Sequence, residues 1–352
     1  MRQLCFYALL VLTTLLVACD NKAGDKADQT NEEAITFRIA FGSCANQDKP
    51  QPLLNVAANL NPDAFIFLGD NIYGDSRTMD TLQAKYDRLA AKPEFQNLWN
   101  STTVLSIWDD HDFGENDAGR HYPFKEASKA IFMDFWKVPA TSDRRKHAGI
   151  YGVEYLEKAG KKVQLILLDT RTFRDKLVHR DSADTTHKND YAINQSPDST
   201  ILGQEQWLWL EEQLTQPADI RIIASSIQFS HEYNGWESWT NIPHQQQYMI
   251  DLIKKTQARG VVFISGDVHW GEISKMEVDG GYPIYDVTSS GITQTWDIIE
   301  PNTNRIGEPV PQNNVGLIEV DLSSAERVSL SIFDITEQKV VEHSVELKEL
   351  RF

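Results

Sequence analysis

Five acidic residues and one histidine lie between Asp109 and Asp117, directly after an apolar segment of the chain. Carboxylates this crowded repel one another unless cations neutralise them. A bound metal ion would supply that neutralisation, whereas a solvated acidic loop would leave the carboxylates in water. The sequence therefore makes this stretch a candidate for metal chemistry, with the solvated loop as the alternative.

Other polar residues follow apolar segments in the same way, each where a β-strand is predicted to end. These strand-end residues are Cys44, Asp70, Asp109, Asp110, Asp169, Gln228 and Asp267. In open α/β sheets the ligand crevice lies at the carboxyl ends of the strands. We therefore expect these side chains to converge on one site. Taken singly, each has a structural interpretation, such as a Gly-Asp turn for Asp70 or an inert buried thiol for Cys44.

The donor types suggest two different metals. Tyr73 and His269 add a phenol and an imidazole to the thiol and the carboxylates at these strand ends. Hard oxygen donors suit Ca²⁺ or Mg²⁺, while thiolate and imidazole suit a transition metal, and a phenolate beside them favours Fe³⁺. We predict a dinuclear centre with one bridging carboxylate, which could generate a hydroxide and stabilise in-line displacement at phosphate. Arg171 could bind the phosphate with its guanidinium fork or form a structural salt bridge.

The elements that must position these residues alternate between strand-like and helical patterns. The predicted strands that precede the polar residues are "ITFRIAFG", "DAFIFLGD", "TTVLSIW", "KVQLILLD", "DIRIIASS" and "RGVVFISGD". Helical spacing is found in "TMDTLQAKYDRLAA", "PFKEASKAIFMDFWKV", "LGQEQWLWLEEQL" and "PHQQQYMIDLIKKTQA". After residue 270 the pattern becomes all β. We predict one α/β domain, residues 35–352, whose sheets are covered by helices.

The N-terminal segment is typical of an export signal rather than of the fold. Residues 1–18 contain Arg2 and a short apolar run that ends in "LVAC", which resembles a bacterial lipobox. Cys19 is the predicted lipidation site, and residues 19–34 are predicted to form a flexible tether. Asp20 slightly favours retention at the inner membrane. We expect an exported lipoprotein that faces the periplasm or the cell surface, with Cys44 as its one remaining thiol.

The formal net charge of the chain is -17. A surface this acidic argues against nucleic-acid binding. It also disfavours phosphate substrates unless cations gather locally in a pocket, as a metal centre would provide. The sequence does not indicate an oligomeric state.

Five short motifs in order resemble the alkaline phosphatase D (PhoD) family of metallophosphoesterases. They are "GSC", "GDNIY", "WDDHD", "LDTR" and "GDVH", and the resemblance runs from about Phe37 to Trp270. It implies a four-layer α/β/β/α sandwich of the metallophosphoesterase type and an iron–calcium centre. It also implies hydrolysis of phosphate monoesters or diesters at alkaline pH by a metal-bound hydroxide.

The resemblance also implies site residues. Four side chains would hold Fe³⁺, with Asp70 bridging the two metals: Cys44, Asp70, Tyr73 and His269. The residues that would hold Ca²⁺ are Asp110 and Asp267, with Gln228 and Asn116 as further candidates. His111 would assist the leaving group, and Arg171 would contact the phosphate. Substrate contacts are also expected from Asn116, Trp236 and Trp239.

Three alternatives remain open. The first is cleavage of phospholipid head groups, because the aromatic segment "YNGWESW" could stack on an organic group or dip toward lipid; the segment could equally be a packed lid. The second is a serine esterase with Ser76, Asp267 and His269 as a triad. The third is a non-enzymatic metal-binding lipoprotein, for which His111 and Arg171 would be dispensable.

Overall fold

The computed structural model describes residues 35–185, 189–323 and 325–352. Residues Ala34–Phe352 form one compact unit. The predicted signal peptide (1–18), the lipidation site Cys19 and the tether (19–34) lie outside the described residues. In the described ranges no helix is long and apolar enough to cross a membrane.

The strands of the described chain fall into two large sheets and one small hairpin. They are β1 (Thr36–Gly42), β2 (Ala64–Leu68), β3 (Thr103–Ile107), β4 (Gly152–Lys158), β5 (Lys161–Leu167), β6 (Val178–His179), β7 (Tyr191–Ala192), β8 (Ile220–Ala224), β9 (Val261–Ser265), β10 (Gly271–Met276), β11 (Ile284–Ser289), β12 (Arg305–Val310), β13 (Asn314–Asp321), β14 (Arg327–Asp334) and β15 (Lys339–Glu346). The first sheet has the order β15-β14-β13-β1-β2-β3, the second β12-β10-β11-β9-β8-β5-β4, and β6 pairs with β7.

The helices are α1 (Leu53–Asn59), α2 (Met79–Ala90), α3 (Pro93–Ser101), α4 (Asp110–Phe113), α5 (Lys125–Phe135), α6 (Gly203–Leu214) and α7 (Pro243–Thr256). Helices α1 and α3 contact β13 and β3 of the first sheet, and α2 and α5 pack beside them. On the other side, α6 lies against β5, where the Gln164 amide donates to the Gln213 carbonyl at 3.0 Å. Helix α7 packs on α6.

The two large sheets pack against each other, since β10 and β11 contact β13 and β14. With helices on both outer faces, the protein has the predicted four-layer α/β/β/α sandwich. The strands β2, β8 and β9 are buried at every residue, as expected for central strands covered on both faces.

Each large sheet has a parallel centre. In the first sheet β1, β2 and β3 are parallel, and in the second β5, β8, β9 and β11 are parallel. Antiparallel strands flank both centres, with β13 beside β1 and β10 beside β11. The carboxyl ends of the parallel strands are therefore brought together along the same side of the sandwich, where the predicted site residues lie.

Candidate active site and metal centre

The candidate site is built from loops that follow the parallel strands. Cys44, Asp70 and Asp267 come within a few residues of the ends of β1, β2 and β9. These three residues and His269 have positive φ angles between 49° and 74°. For residues other than glycine this region is sparsely populated and costs of order 1–3 kcal/mol. The fold therefore holds four of the predicted ligands in strained backbone conformations, which is common at functional sites.

Two glycines let these loops approach one another closely. A Cβ on Gly69 would lie 2.5 Å from the Cβ of Asp109, and a Cβ on Gly266 would lie 2.3 Å from the hydroxyl of Ser43. Neither distance is compatible with a side chain at the glycine position. The glycines of "GDN" and "SGD" thus bring the ends of β2 and β3, and of β1 and β9, into contact.

Three groups of potential ligands share one residue, Asp70. Within each group the ligand atoms lie within 4.8 Å of one another, and the groups are Cys44–Asp70–His269, Asp70–Asp110–His111 and Asp70–Asp109–Asp110–Asp267. Asp70 therefore lies between a group with sulfur and nitrogen donors and a group of carboxylates. This is the position that a bridging carboxylate would occupy.

The first group is centred on the thiol of Cys44. Its Sγ lies 3.4 Å from Oδ2 of Asp70 and 3.1 Å from the hydroxyl of Ser290, and the hydroxyl of Tyr73 lies 3.2 Å from Nε2 of His269. Burial raises the pKa of Cys44 to about 12 and lowers the pKa of His269 to about 4. The imidazole is thus neutral and ready to coordinate, whereas the thiol needs a cation to stabilise its thiolate.

The carboxylate group contains more negative charge than the neighbouring cations can balance. Burial raises the pKa of Asp70 and of Asp267 well above the ordinary value, and it raises the pKa of Asp109 to about 7 although Arg171 opposes the shift. In the described chain, Oδ1 of Asp70, Oδ2 of Asp109 and Oδ1 of Asp110 are buried without a hydrogen-bond partner. Buried polar atoms are normally satisfied, so these oxygens fit direct coordination of metal cations.

His111 is oriented by a carboxylate that the sequence analysis did not select. Its Nδ1 lies 2.7 Å from Oδ1 of Asp75, and its ring lies 4.2 Å from the ring of Tyr73. Burial disfavours the imidazolium, but the nearby carboxylates of Asp70 and Asp110 outweigh it and raise the pKa of His111 to about 11. In the metal-free protein these carboxylates thus favour the protonated imidazole at the edge of the metal groups.

Arg171 has a different environment from the one predicted. Its side chain is completely buried, its Nε donates to Oδ1 of Asp109 at 2.5 Å, and an Nη donates to Oε2 of Glu237 at 2.6 Å. Glu237 also pairs with Arg174 at 2.8 Å. The predicted phosphate contact is thus corrected to the alternative of a structural salt bridge, because the N–H groups of the buried guanidinium donate to the carboxylates of Asp109 and Glu237.

One further prediction needs correction. Trp239 does not reach substrate, because it is fully buried against Phe229 and donates its Nε1 to the hydroxyl of Ser225 at 3.0 Å. Gln228 does not line the cavity, and its amide nitrogen donates to Glu272 at 2.8 Å and to Thr288 at 3.1 Å. Its Oε1 is buried without a hydrogen-bond partner, so its role as a calcium ligand stays a prediction.

The serine-esterase alternative is not supported by the geometry. The hydroxyl of Ser76 donates to the carbonyl of Thr78 and accepts from its amide, at 3.2 and 3.0 Å. His269 instead lies beside Tyr73. The "YGDS" segment contributes Asp75 to His111 rather than a nucleophile.

A cavity of about 240 Å³ opens beside the metal groups. Its lining includes the predicted residues Asp70, Asp110, His111, Asn116, Trp236, Asp267 and His269. It also includes residues that the sequence analysis missed: Asp117, Asp190, Tyr191, Glu237, Val268, Trp270 and Trp296. Four of these residues carried a signal: Asp117 is the last acid of "WDDHDFGEND", Val268 and Trp270 lie within or next to "GDVH", and Glu237 lies in "YNGWESW". Asp190, Tyr191 and Trp296 come from distant loops whose proximity the motifs did not reveal.

Comparisons with known proteins agree with this geometry. Residues 39–309 match the model of the PhoD-like phosphatase family. Alkaline phosphatase D of Bacillus subtilis (strain 168) is 30% identical over 306 residues, which cover 76% of this chain and 50% of the relative. The chain thus spans about half the length of this curated relative.

Two solved structures share the fold. The structure of PhoD superposes with a TM-score of 0.70 at 17% identity, covering 87% of this chain and 72% of that one. Purple acid phosphatase PPD1 from yellow lupin (Lupinus luteus) seeds gives a TM-score of 0.57 at 11% identity, covering 89% of this chain and 54% of that one. From the matched family model, which spans most of the sandwich and every motif at the strand ends, it follows that the chain belongs to the PhoD-like phosphatase family.

Proposed function

We propose that this protein hydrolyses phosphate esters at a dinuclear metal centre, as a phosphomonoesterase, a phosphodiesterase or both, with an alkaline pH optimum. The observation that carries the proposal is the position of Asp70, which is common to all three ligand groups and lines the cavity. Membership of the PhoD-like phosphatase family and the name of the Bacillus subtilis relative support the same activity.

The donor set supports unlike metals. Cys44, Tyr73 and His269 offer sulfur, phenolate and imidazole donors, which suit Fe³⁺. Asp110 and Asp267 offer carboxylates, which suit Ca²⁺. Two such ions would acidify a water molecule and neutralise the oxygens of the bound phosphate.

The chain's own residues would handle the proton and the leaving group. As water adds to phosphorus, the bond from phosphorus to the alcohol oxygen breaks, and that oxygen needs a proton. His111 is the suitable donor, because it lines the cavity and Asp75 fixes its Nδ1. This arrangement leaves Nε2 as the nitrogen that can give the proton to the departing alcohol.

The experiment that tests the function uses protein purified without chelators. Nitrophenyl phosphate and bis-nitrophenyl phosphate are assayed side by side with calcium present, across a pH range from neutral to alkaline. Hydrolysis of either ester supports the proposal, and the ratio of the two rates separates monoesterase from diesterase. If metal-loaded protein cleaves neither ester, the non-enzymatic metal-binding lipoprotein becomes the better description.

Replacing His111 with alanine is expected to lower kcat by about 10²–10⁴-fold, the range usual for losing general acid catalysis. The Asp75→Asn variant should lower kcat by a smaller factor, because the imidazole remains but loses its orienting carboxylate. Metal content, measured by mass spectrometry, should stay at the wild-type level in Asp75→Asn. The control substrate is dinitrophenyl phosphate, whose leaving group needs little protonation and should lose far less rate in both variants. An equal loss on both substrates would contradict the acid role.

We also propose that the enzyme is exported and held at a membrane through a lipid on Cys19, facing the periplasm or the cell surface. The lipobox-like sequence supports this proposal. Metabolic labelling with a fatty-acid probe should mark the wild-type protein and not Cys19→Ser. Labelling of the variant would contradict the assignment.

A further inference from the structure

The outer part of the cavity contains residues that neither the metal groups nor the proton donor uses. They are Asn116, Asp117, Asp190, Tyr191, Trp236 and Trp296. We propose that this outer wall binds the ammonium group of the substrate, so that the preferred esters are phosphates of amino alcohols such as choline and ethanolamine. This inference rests on the phosphoesterase function proposed above and specifies its substrate class.

Two tryptophans, Trp236 and Trp296, form an aromatic part of the outer wall. The rings of Trp236 and Trp296 lie 5.7 Å apart with an interplanar angle of 64°, and the ring of Trp296 lies 6.0 Å from that of His269. Trp296 is 42% exposed although it is a large apolar side chain. The faces of tryptophan rings attract organic cations, and quaternary ammonium groups most characteristically. Trp296 therefore lies directly beside His269, which is one of the candidate metal ligands.

Two acidic residues, Asp117 and Asp190, also belong to the outer wall. The carboxylate of Asp117 accepts hydrogen bonds from the hydroxyl of Tyr191 and the amide of Asn116, and Asp190 is exposed at the mouth. Glu237 differs from these two acids, because Arg171 and Arg174 neutralise it.

Among the described lining residues, the basic side chains are the histidines of the metal groups, His111 and His269. Among the described lining residues there is no lysine or arginine, and no described basic side chain forms an ion pair with Asp117 or Asp190. The carboxylates of Asp117 and Asp190 would repel an anionic leaving group, and they would add no electrostatic binding energy for a neutral one. An ammonium group gains from both the carboxylates and the rings, so the wall discriminates by charge as well as by shape.

The separation of the two subsites suits a short amino alcohol. Metals held by the ligand groups would bind the phosphate near Asp70 and His269, and the ring of Trp296 lies 6.0 Å from that of His269. An ethanolamine-type chain is short enough to join a phosphate at the first position to an ammonium at the second. The excess of acidic residues over the whole chain adds long-range attraction for cationic substrates.

The test compares two esters of nearly identical shape. One is choline phosphate; the other is the phosphate of neohexanol, in which a carbon atom replaces the ammonium nitrogen. The metal-loaded enzyme should show a kcat/KM about tenfold or more higher for the choline ester, in line with a desolvated cation–π contact. The corresponding nitrophenyl diesters provide the same comparison if the enzyme prefers diesters.

Two variants test whether the outer wall causes the preference for the choline ester. Trp296→Ala and Asp190→Asn should each reduce the ratio of the two kcat/KM values toward one. The matched controls are Leu208→Ala and Asp251→Asn, which replace residues on the outer helices α6 and α7 that do not line the cavity, and both should keep the wild-type ratio. Calorimetric titration with choline and with neohexanol gives a second measurement, in which only choline should bind and Trp296→Ala should weaken it.

The outcomes separate this inference from the function on which it rests. Equal kcat/KM values for the two esters, or equal binding of choline and neohexanol, would overturn the inference while nitrophenyl phosphate hydrolysis still upholds the function. Failure to cleave any ester would overturn the function, and the calorimetry would then decide whether the wall binds ammonium.

An assay with phosphatidylcholine and phosphatidylglycerol vesicles identifies the source of the head group. Selective cleavage of phosphatidylcholine supports a lipid source, and cleavage of choline phosphate alone supports a soluble one.

Discussion

Replacing Arg171 with alanine is expected to destabilise the metal-free protein by about 3–5 kcal/mol, the usual cost of removing one partner of a buried ion pair. Arg171 is fully buried and lies between the carboxylates of Asp109 and Glu237. Without the guanidinium, the buried carboxylate of Asp109 loses its counter-charge, and Glu237 keeps only Arg174. The measurement is the free energy of unfolding in guanidinium chloride after the metals have been removed from both proteins.

The same ion pair fixes two parts of the site. Asp109 belongs to the carboxylate group at the metal centre, and Glu237 directly follows Trp236 in the wall of the cavity. Arg171→Ala should therefore also lower kcat. Metal content, assayed at matched folded fraction, should decrease because Asp109 is no longer held in place.

A double variant and a conservative variant control this prediction. Arg171→Ala combined with Asp109→Asn should recover part of the stability of the metal-free protein, since it removes the buried carboxylate that pairs with Arg171, whereas Glu237 keeps its pair with Arg174. Arg171→Lys should be intermediate, because lysine keeps the charge but loses the planar fork. If Arg171→Ala instead retained full stability and metal content and only raised KM, Arg171 would contact the phosphate as the sequence analysis expected.

Much of the fold could be predicted because its central strands are buried on both faces. Segments such as Ala64–Leu68 and Val261–Ser265 are continuous apolar runs that end in Gly-Asp, and that pattern is distinctive. The elements that were missed have weaker patterns. Helix α1 has only seven residues and follows the "KPQP" turn, and β4 alternates exposed and half-buried residues along the sheet edge.

The site could be predicted best where its residues follow strands directly. The convergence of Cys44, Asp70 and Asp267 follows from the rule that parallel strands end at one edge. The partner of Arg171 could not be found this way, because Glu237 lies 66 residues further along the chain in a loop without a periodic pattern. The two tryptophans of "YNGWESW" also look equivalent in sequence. In the structure Trp239 packs in the core and Trp236 lines the cavity.

Replacing Cys44 with serine is expected to remove one metal ion per chain and to lower activity by at least about 100-fold. Serine is close to cysteine in size, so the buried position beside Ser290 should tolerate the change. A neutral hydroxyl is a poor ligand for a transition metal compared with a thiolate, which is the preferred soft donor. The measurements are metal content by mass spectrometry and the visible absorption spectrum of the purified protein.

The spectrum makes the prediction specific to the thiolate. If Fe³⁺ is bound beside Cys44 and Tyr73, the protein should be coloured by charge transfer from these donors, and Cys44→Ser should change the band or abolish it. Ser43→Ala is the matched control, because Ser43 lies 3.5 Å from the thiol but belongs to none of the ligand groups; it should keep both metal ions and the colour. Full colour and activity in Cys44→Ser would show that the thiol is only a buried packing residue. Loss of the metal with wild-type stability of the metal-free protein would show that the strained loop after β1 holds Cys44 for coordination rather than for packing.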